Sequence, residues 1–154
     1  MINWKSLIVS LTISLGTGIL SALITRSSMT IYQNLNLPKL APPSTLFPIV
    51  WTILFVLMGI SAYIIYESNS NKKQNALKIY AIQLLINFIW PILFFNLNLY
   101  FISFVWIILL WIFILIMINL FKKISNIAAY LQIPYFLWVT FASYLNFMIY
   151  YLNK

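Results

Sequence analysis

Apolar stretches about as long as a membrane span recur along the chain, and short polar breaks separate them. A helix needs roughly 20 mostly apolar residues to cross the hydrocarbon core of a bilayer. Hydrophobic residues make up 64% of the 154 residues and charged residues only 6%, which leaves too little polar surface for a compact particle in water. The sequence therefore predicts an all-α membrane protein.

The polar breaks divide the chain into five predicted helices, which we expect to form one transmembrane domain over residues 1–154. The longest break contains Pro38, Pro42 and Pro43, and proline does not continue a helix. The last predicted helix contains Pro134. The prediction is a five-transmembrane-helix bundle with helices at about 6–25, 45–67, 76–95, 99–121 and 126–151 and a long loop at 26–44.

Nine lysines and arginines give the chain a net charge of +8, and they lie mostly between the apolar stretches. This placement indicates contact with anionic lipid headgroups, so membrane lipid is an expected partner and nucleic acid is not. Five crossings would place six basic residues on one side and three on the other. The positive-inside rule then predicts a cytoplasmic N-terminus. The six are Lys5, Lys72, Lys73, Lys78, Lys122 and Lys123, and the three are Arg26, Lys39 and Lys154.

The chain contains no cysteine and no histidine, so the usual zinc sites, thiol nucleophiles, Ser-His-Asp triads and histidine-ligated haem are excluded. Glu67 is the only carboxylate side chain, which excludes catalysis by paired carboxylates. We expect no metal site. Any chemistry must come from a bound ligand, from aromatic side chains or from backbone groups.

Three predicted helices carry aromatic residues next to small or flat residues on one face. If these faces converge, they form an aromatic-walled slot with few polar groups, which suits a broad planar ligand. The same spacing is also typical of packed or lipid-facing aromatic residues, because tryptophan and tyrosine populate membrane interfaces. The faces consist of Trp51, Phe55 and Gly59 in the second helix, Asn87, Trp90 and Phe94 in the third, and Trp138 and Ala142 in the fifth.

Two further patterns concern helix packing. Small residues recur every four positions in the first helix, from Ser6 to Ala22, which lets a neighbouring helix approach closely. Pro91 has no N–H and frees the carbonyl of Asn87 in the third helix. We expect another helix, water, a ligand or an internal kink to satisfy that backbone group.

Three segments resemble, in order and spacing, the motifs of the TspO/translocator-protein (tryptophan-rich sensory protein) family, and the resemblance covers nearly the whole chain. They are PPSTLFPIVWTILFVLMG at 42–59, NFIWPILFFN at 87–96 and PYFLWVTFASYLN at 134–146. Two positions depart from the family pattern. Leu40 stands where a tryptophan usually precedes the Pro-Pro pair, and Trp106 stands where an acid is common in the fourth helix.

The resemblance implies a small five-helix membrane protein, usually a homodimer, with a pocket that opens under the first loop. Members bind porphyrins and haem, and some bind sterols. Some bacterial members are assigned light-dependent porphyrin breakdown, with tryptophans corresponding to Trp51 and Trp138 as the reactive pair. The resemblance thus predicts a porphyrin-binding sensor or carrier in a bacterial cell membrane. The alternative is a transporter of small solutes, sterols or lipids that uses the same pocket.

The expected ligand is protoporphyrin IX or haem, and the absence of histidine and cysteine fits the metal-free porphyrin better. No cofactor is required. Arg26 and Lys39 could face the propionate groups of the ligand, although lipid headgroups are an alternative partner for both. The predicted ligand site, with Trp51 and Trp138 as the catalytic candidates, consists of Tyr32, Pro42, Phe47, Trp51, Phe55, Asn87, Trp90, Phe94, Trp138 and Ala142.

Overall fold

The computed structural model describes residues 2–154, and within that range it contains helices and connecting turns but no strand. The predicted all-α fold is confirmed. A 3-10 turn, Arg26–Ser28, joins the first two helices, and a π-helical segment, Ile92–Asn96, extends the fourth. The α-helices are α1 (Trp4–Thr25), α2 (Met29–Gln33), α3 (Leu46–Glu67), α4 (Lys73–Pro91), α5 (Tyr100–Lys122), α6 (Asn126–Tyr130) and α7 (Ile133–Leu152).

Four helical segments in the described range are long and apolar enough to cross a membrane: Trp4–Ser28, Leu46–Glu67, Lys73–Asn96 and Tyr100–Lys122. Their outer surfaces expose large apolar side chains, such as Leu23, which is 61% exposed. Hydrocarbon is the solvent that suits such a surface. The helix α7 is outside this set of four and has several tyrosine, serine, threonine and asparagine residues. The predicted count of five crossings is therefore not confirmed.

Two predicted boundaries were wrong. Residues 26–33 of the predicted loop are helical, because the prolines that prevent a helix begin only at Pro38. The predicted helix at 126–151 is divided into α6 and α7 by a turn at 131–132. Pro134 lies in the first turn of α7 rather than in a helix interior, and there its missing N–H leaves no hydrogen bond unmade.

The bundle has two distinguishable ends. At the N-terminal end, the Asn3 backbone N–H donates to the Tyr63 hydroxyl at 3.1 Å, which joins the start of α1 to the end of α3. At the opposite end, which we call the loop end, the Asn36 N–H donates to Asn153 Oδ1 and Asn153 Nδ2 donates to the Asn36 carbonyl, both at 3.0 Å. The segment after α2 is thereby fixed to the end of α7.

A hydrogen bond from α5 stabilises the last turns of α4, where the helix changes to the π-helical segment after Pro91. The Trp106 indole N–H donates to the carbonyl of Ile86 at 2.9 Å, on the turn that precedes Pro91. Beyond the proline, the Leu97 N–H bonds to the Ile92 carbonyl at 3.1 Å, which is the i to i−5 pattern of a π-helix. A neighbouring helix thus pairs a backbone carbonyl next to that of Asn87, the one that the sequence identified.

Small residues set the distance between α1 and α3. Ser10 Oγ donates to the Gly59 carbonyl at 2.7 Å. A Cβ atom added at Gly59 would lie 2.6 Å from Ser14 Oγ and 3.0 Å from the Leu11 Cα, and one added at Gly18 would lie 2.5 Å from the Phe55 ring. The small-residue face of the first helix therefore packs directly against α3.

Gly59→Ala should lower the free energy of unfolding by about 1–3 kcal/mol, because the new methyl group meets the backbone of α1 as well as side chains. Denaturant unfolding in detergent micelles would measure the change. The matched control is Gly16→Ala, where an added Cβ meets nothing within 4 Å. That control should be neutral or stabilising by up to about 1 kcal/mol, since alanine favours the helix. Equal losses for both variants would contradict the close approach.

Candidate functional site

A cavity of about 230 Å³ lies near the loop end, between α1, α3 and the last turns of α4. Aromatic rings from α3, α4 and the π-helical segment form most of its wall, and the α1 side carries mainly small residues. We call it the loop-end cavity. Its aromatic residues are Phe47, Trp51, Phe55, Trp90 and Phe95, and its other residues are Gly18, Ser21, Ala22, Thr25, Arg26, Pro48, Asn87 and Pro91.

The helical repeat explains why these rings share one cavity. Phe47, Trp51 and Phe55 are four residues apart on α3, so they lie on one face. The Trp51 and Phe55 ring centroids are 5.7 Å apart with planes inclined at 32°. Trp90 contacts Phe95 edge to face at 6.3 Å on the opposite wall. The result is a space between aromatic faces, which suits a flat and mainly apolar ligand.

Arg26 follows the last residue of α1, and it is the one charged residue among the described residues that line this cavity. It lies in the 3-10 turn at the loop end and is exposed. A guanidinium group at the mouth of an apolar cavity can bind a carboxylate with two parallel hydrogen bonds. Lys39, the other basic residue considered for that role, is exposed and does not line the cavity.

The structure brings together only part of the predicted site. Phe47, Trp51, Phe55, Asn87 and Trp90 line the cavity. Tyr32, Pro42, Phe94, Trp138 and Ala142 do not. Phe94 lies behind Trp90, with ring centroids 5.4 Å apart and planes inclined at 29°, and Ala142 is buried in α7.

The segment that contains Tyr32 and Pro42 packs on Phe47. The Tyr32 ring meets Phe47 edge to face at 5.4 Å, and its hydroxyl donates to the Pro42 carbonyl at 3.3 Å. Burial raises the pKa of Tyr32 above its ordinary value, so the hydroxyl stays protonated to a higher pH than that of a free tyrosine. The loop thus folds back on the start of α3.

The two tryptophans of the expected reactive pair contact different rings. Trp51 packs against Tyr135 with centroids 6.2 Å apart, and Trp138 packs against Phe47 at 6.0 Å. Phe47 also lines the cavity, so it contacts both the cavity and Trp138. The Trp138 indole N–H is buried and has no hydrogen-bond partner among residues 2–154.

A chain of buried polar side chains lies beside the cavity. Asn87 Nδ2 donates to the Tyr135 hydroxyl at 2.7 Å, and that hydroxyl donates to Gln83 Oε1 at 2.8 Å. Gln83 and Tyr135 are fully buried, and they join α4 to α7. The hydrogen bonds give Asn87 a fixed orientation at the cavity wall.

Sequence reasoning missed the contribution of α1 and the role of Tyr135. The repeat of small residues that ends in Gly18 and Ala22 was a signal, but we used it only for helix packing. For the polar chain, the signal was the spacing of Gln83 and Asn87, because residues four apart lie on one face of a helix.

Tyr135→Phe should lower the free energy of unfolding by about 1–2 kcal/mol, because it breaks two hydrogen bonds and leaves two buried amides unpaired. Tyr130→Phe is the control, since that side chain is 66% exposed, and it should change stability by less than about 0.5 kcal/mol. Unfolding of both variants in the same detergent gives the comparison. A Tyr135→Phe protein as stable as the wild type would show that the polar chain does not hold α7 against α4.

The helices and the cavity define a class: small, all-helical proteins with several membrane-length apolar helices and an aromatic-lined cavity between them. Residues 8–152 match the sequence profile of the TspO/MBR family. The chain belongs to that family, as its motifs indicated.

Relatives confirm the match over most of the chain. The tryptophan-rich protein TspO of Chlorobaculum tepidum is 41% identical over 124 residues, which cover 79% of this chain and 78% of that protein. The tryptophan-rich protein TspO of Archaeoglobus fulgidus is 36% identical over 152 residues, 98% of this chain and 99% of that protein. The tryptophan-rich sensory protein of Cereibacter sphaeroides is 33% identical over 116 residues, 75% of this chain and 72% of that protein.

Proposed function

We propose that the chain is an integral membrane protein that binds a porphyrin-type tetrapyrrole in the loop-end cavity and acts as its sensor or carrier. The observation that carries this proposal is the pairing of aromatic walls with a single guanidinium group at the mouth. A porphyrin is flat and apolar, so it can stack on the rings of Trp51 and Trp90. Its propionate groups are anionic and fit Arg26.

The size of the cavity requires a movement on binding. A volume of 230 Å³ is below the roughly 300–1,000 Å³ of typical small-molecule pockets. Phe47 is held by edge-to-face ring contacts with Tyr32 and Trp138. If the Phe47 ring turns away, the cavity extends toward Trp138, whose unpaired N–H then faces the ligand. We propose that the Tyr32 segment and Phe47 together open the site.

The membrane arrangement belongs to the same proposal. We place α7 as a fifth crossing because its interior polar groups are paired within the bundle: Asn146 Oδ1 accepts from Trp90 Nε1 at 3.0 Å, and Tyr135 joins the chain described above. Its outer face keeps apolar residues such as Leu137. The six lysines at the N-terminal end then favour a cytoplasmic N-terminus in a bacterial cell membrane. Because the family resemblance implies a homodimer, we propose that assembly for this protein as well.

The first test is a titration of the purified protein with protoporphyrin IX in the dark, followed by porphyrin absorbance. Binding should be saturable and should weaken by about tenfold in Arg26→Gln, the factor expected for one charge-assisted hydrogen bond. Lys39→Gln removes the same charge between α1 and α3, from a residue that does not line the cavity, and should leave affinity unchanged. The dimethyl ester of protoporphyrin IX, which has no carboxylate, should not distinguish wild type from Arg26→Gln.

The absence of saturable binding would contradict the tetrapyrrole proposal and would make transport of another small solute, sterol or lipid the leading alternative. Saturable binding that Arg26→Gln and Lys39→Gln weaken equally would show that the cavity mouth does not recognise the propionates.

Illumination of the same complex in air tests for light-dependent porphyrin degradation, with dissolved oxygen as the oxidant. Trp51 lines the cavity and would touch the ligand, whereas Trp138 becomes accessible only when Phe47 moves. Loss of the porphyrin absorption bands should therefore be slower in Trp51→Phe, while dark binding is retained. If the absorption bands of the wild-type complex persist under light, the protein does not degrade the porphyrin, and the proposed role is that of a sensor or carrier.

A further inference from the structure

The thioether of Met58 sets the direction of the buried hydrogen-bond chain beside the loop-end cavity. Met58 is fully buried in α3, and Gln83 Nε2 donates to its sulfur at 3.9 Å. A thioether sulfur accepts a hydrogen bond but cannot donate one. The amide nitrogen of Gln83 therefore faces Met58, because the opposite orientation would bury the Gln83 carbonyl oxygen against another acceptor.

Once Gln83 is oriented, each later partner in the chain has one choice. Gln83 Oε1 can only accept, so the Tyr135 hydroxyl donates to it at 2.8 Å. This bond uses the single hydroxyl proton of Tyr135. The Tyr135 oxygen must then accept from its other neighbour, and Asn87 Nδ2 donates to it at 2.7 Å. Asn87 consequently turns its side-chain carbonyl away from the chain.

The side-chain oxygen of Asn87, Oδ1, is free to accept a hydrogen bond in the loop-end cavity. It has no partner among the described residues, yet it is not one of their fully enclosed unpaired polar atoms. Asn87 lines the loop-end cavity and is otherwise buried, so the open space that Oδ1 meets is the cavity. An acceptor in an apolar wall is costly until a donor pairs with it. The cavity therefore favours a ligand with an N–H or O–H group.

The acceptor and the guanidinium group lie toward opposite ends of the cavity. Asn87 and Phe95 both line it and are eight residues apart, which corresponds to about 12 Å along the helix. The last turn of α1 lies at the Phe95 end, because Asn96 Nδ2 donates to the Ile24 carbonyl at 3.2 Å. Arg26 follows two residues later. A ligand can thus meet Asn87 with a donor at its inner end and Arg26 with a carboxylate at its outer end.

We propose that the loop-end cavity, with Phe47 in place, binds an indole-type aromatic acid, which is a two-ring anion with a ring N–H. The indole stacks on Trp51 and Trp90, its N–H donates to Asn87 Oδ1, and its carboxylate pairs with Arg26. Such a ligand is smaller than the drug-sized ligands of typical pockets, so it suits a volume of 230 Å³ without movement of the loop. The proposal uses the cavity of the proposed function but does not require that a porphyrin binds.

Isothermal titration calorimetry of the full chain in detergent, with empty micelles as the blank, tests the proposal with two probes of the same shape. They are indole-3-acetic acid and 1-benzothiophene-3-acetic acid, whose ring sulfur replaces the N–H and cannot donate. The wild type should bind the indole probe about tenfold more tightly, the factor expected for one hydrogen bond to an otherwise unpaired acceptor. Arg26→Gln should weaken both probes and leave that ratio unchanged.

Met58→Leu tests the direction of the hydrogen-bond chain. It nearly conserves the core volume but removes the acceptor that orients Gln83, so the preference for the indole probe should fall toward unity. Affinity for the benzothiophene probe should not change. Met117→Leu is the matched control, since Met117 is also fully buried, and it should keep the wild-type preference. Asn87→Leu should remove the preference entirely.

Equal binding of the two probes by the wild type, or a preference that survives in a folded Met58→Leu or Asn87→Leu protein, would overturn the proposal. So would a wild type that binds neither acid. The proposed function is judged separately, by the porphyrin titration. A wild type that binds protoporphyrin IX but neither acid would keep the proposed function and exclude this inference, whereas the reverse result would keep this inference alone.

Discussion

The contact between α1 and α3 is the constraint on which the loop-end cavity and a second cavity near the N-terminal end depend. Gly59 allows the backbone of α1 to approach α3, and Ser10 and Ser14 occupy the space where larger side chains would keep the helices apart. The contact lies at the middle of α1. Toward the N-terminal end the helices leave a cavity of about 530 Å³, whose lining includes Val9 and Leu84, and toward the loop end they leave the loop-end cavity. One close crossing thus closes the middle of the bundle and leaves two separate cavities.

Buried polar side chains of α4 and α7 pair with one another beside the loop-end cavity. Asn87, Tyr135 and Gln83 pair with one another, and Trp90 pairs with Asn146. Because these groups satisfy their hydrogen bonds inside the protein, they hold α7 against α4 without water. The loop-end cavity consequently keeps a mainly aromatic wall. Among the described residues, its one charge comes from Arg26, which lies in the 3-10 turn at the end of the first membrane-length segment, where a carboxylate can be bound near the membrane surface.

Much of this architecture could be predicted from the sequence, because hydropathy and helical spacing are local properties. Membrane-length apolar stretches fixed the long helices, and the spacing of Trp51 and Phe55 put both rings on one face. The position of Pro134 was misjudged, since a proline in the first turn and a proline in a helix interior look alike in an apolar stretch. The helical residues before Pro38 were also missed, because a helix as short as α2 shows no apolar repeat.

The composition of the site was harder to predict, because periodicity does not say which helices face each other. Trp138 and Ala142 share a face of α7, yet that face meets Phe47 and the buried interior rather than the cavity. The small residues of α1 supply the wall that was assigned to α7. Only the three-dimensional arrangement shows that Gly18 lies under the Phe55 ring.

The most direct test of this account compares protoporphyrin IX binding by Gly18→Leu and Gly16→Leu. A leucine at position 18 would enter the loop-end cavity beside Phe55, whereas an added Cβ at position 16 meets nothing within 4 Å. Thermal unfolding of both variants would establish that each is folded. If the cavity between α1 and α3 binds the porphyrin, Gly18→Leu loses saturable binding and Gly16→Leu keeps it. Wild-type affinity in a folded Gly18→Leu protein would show that the ligand binds elsewhere.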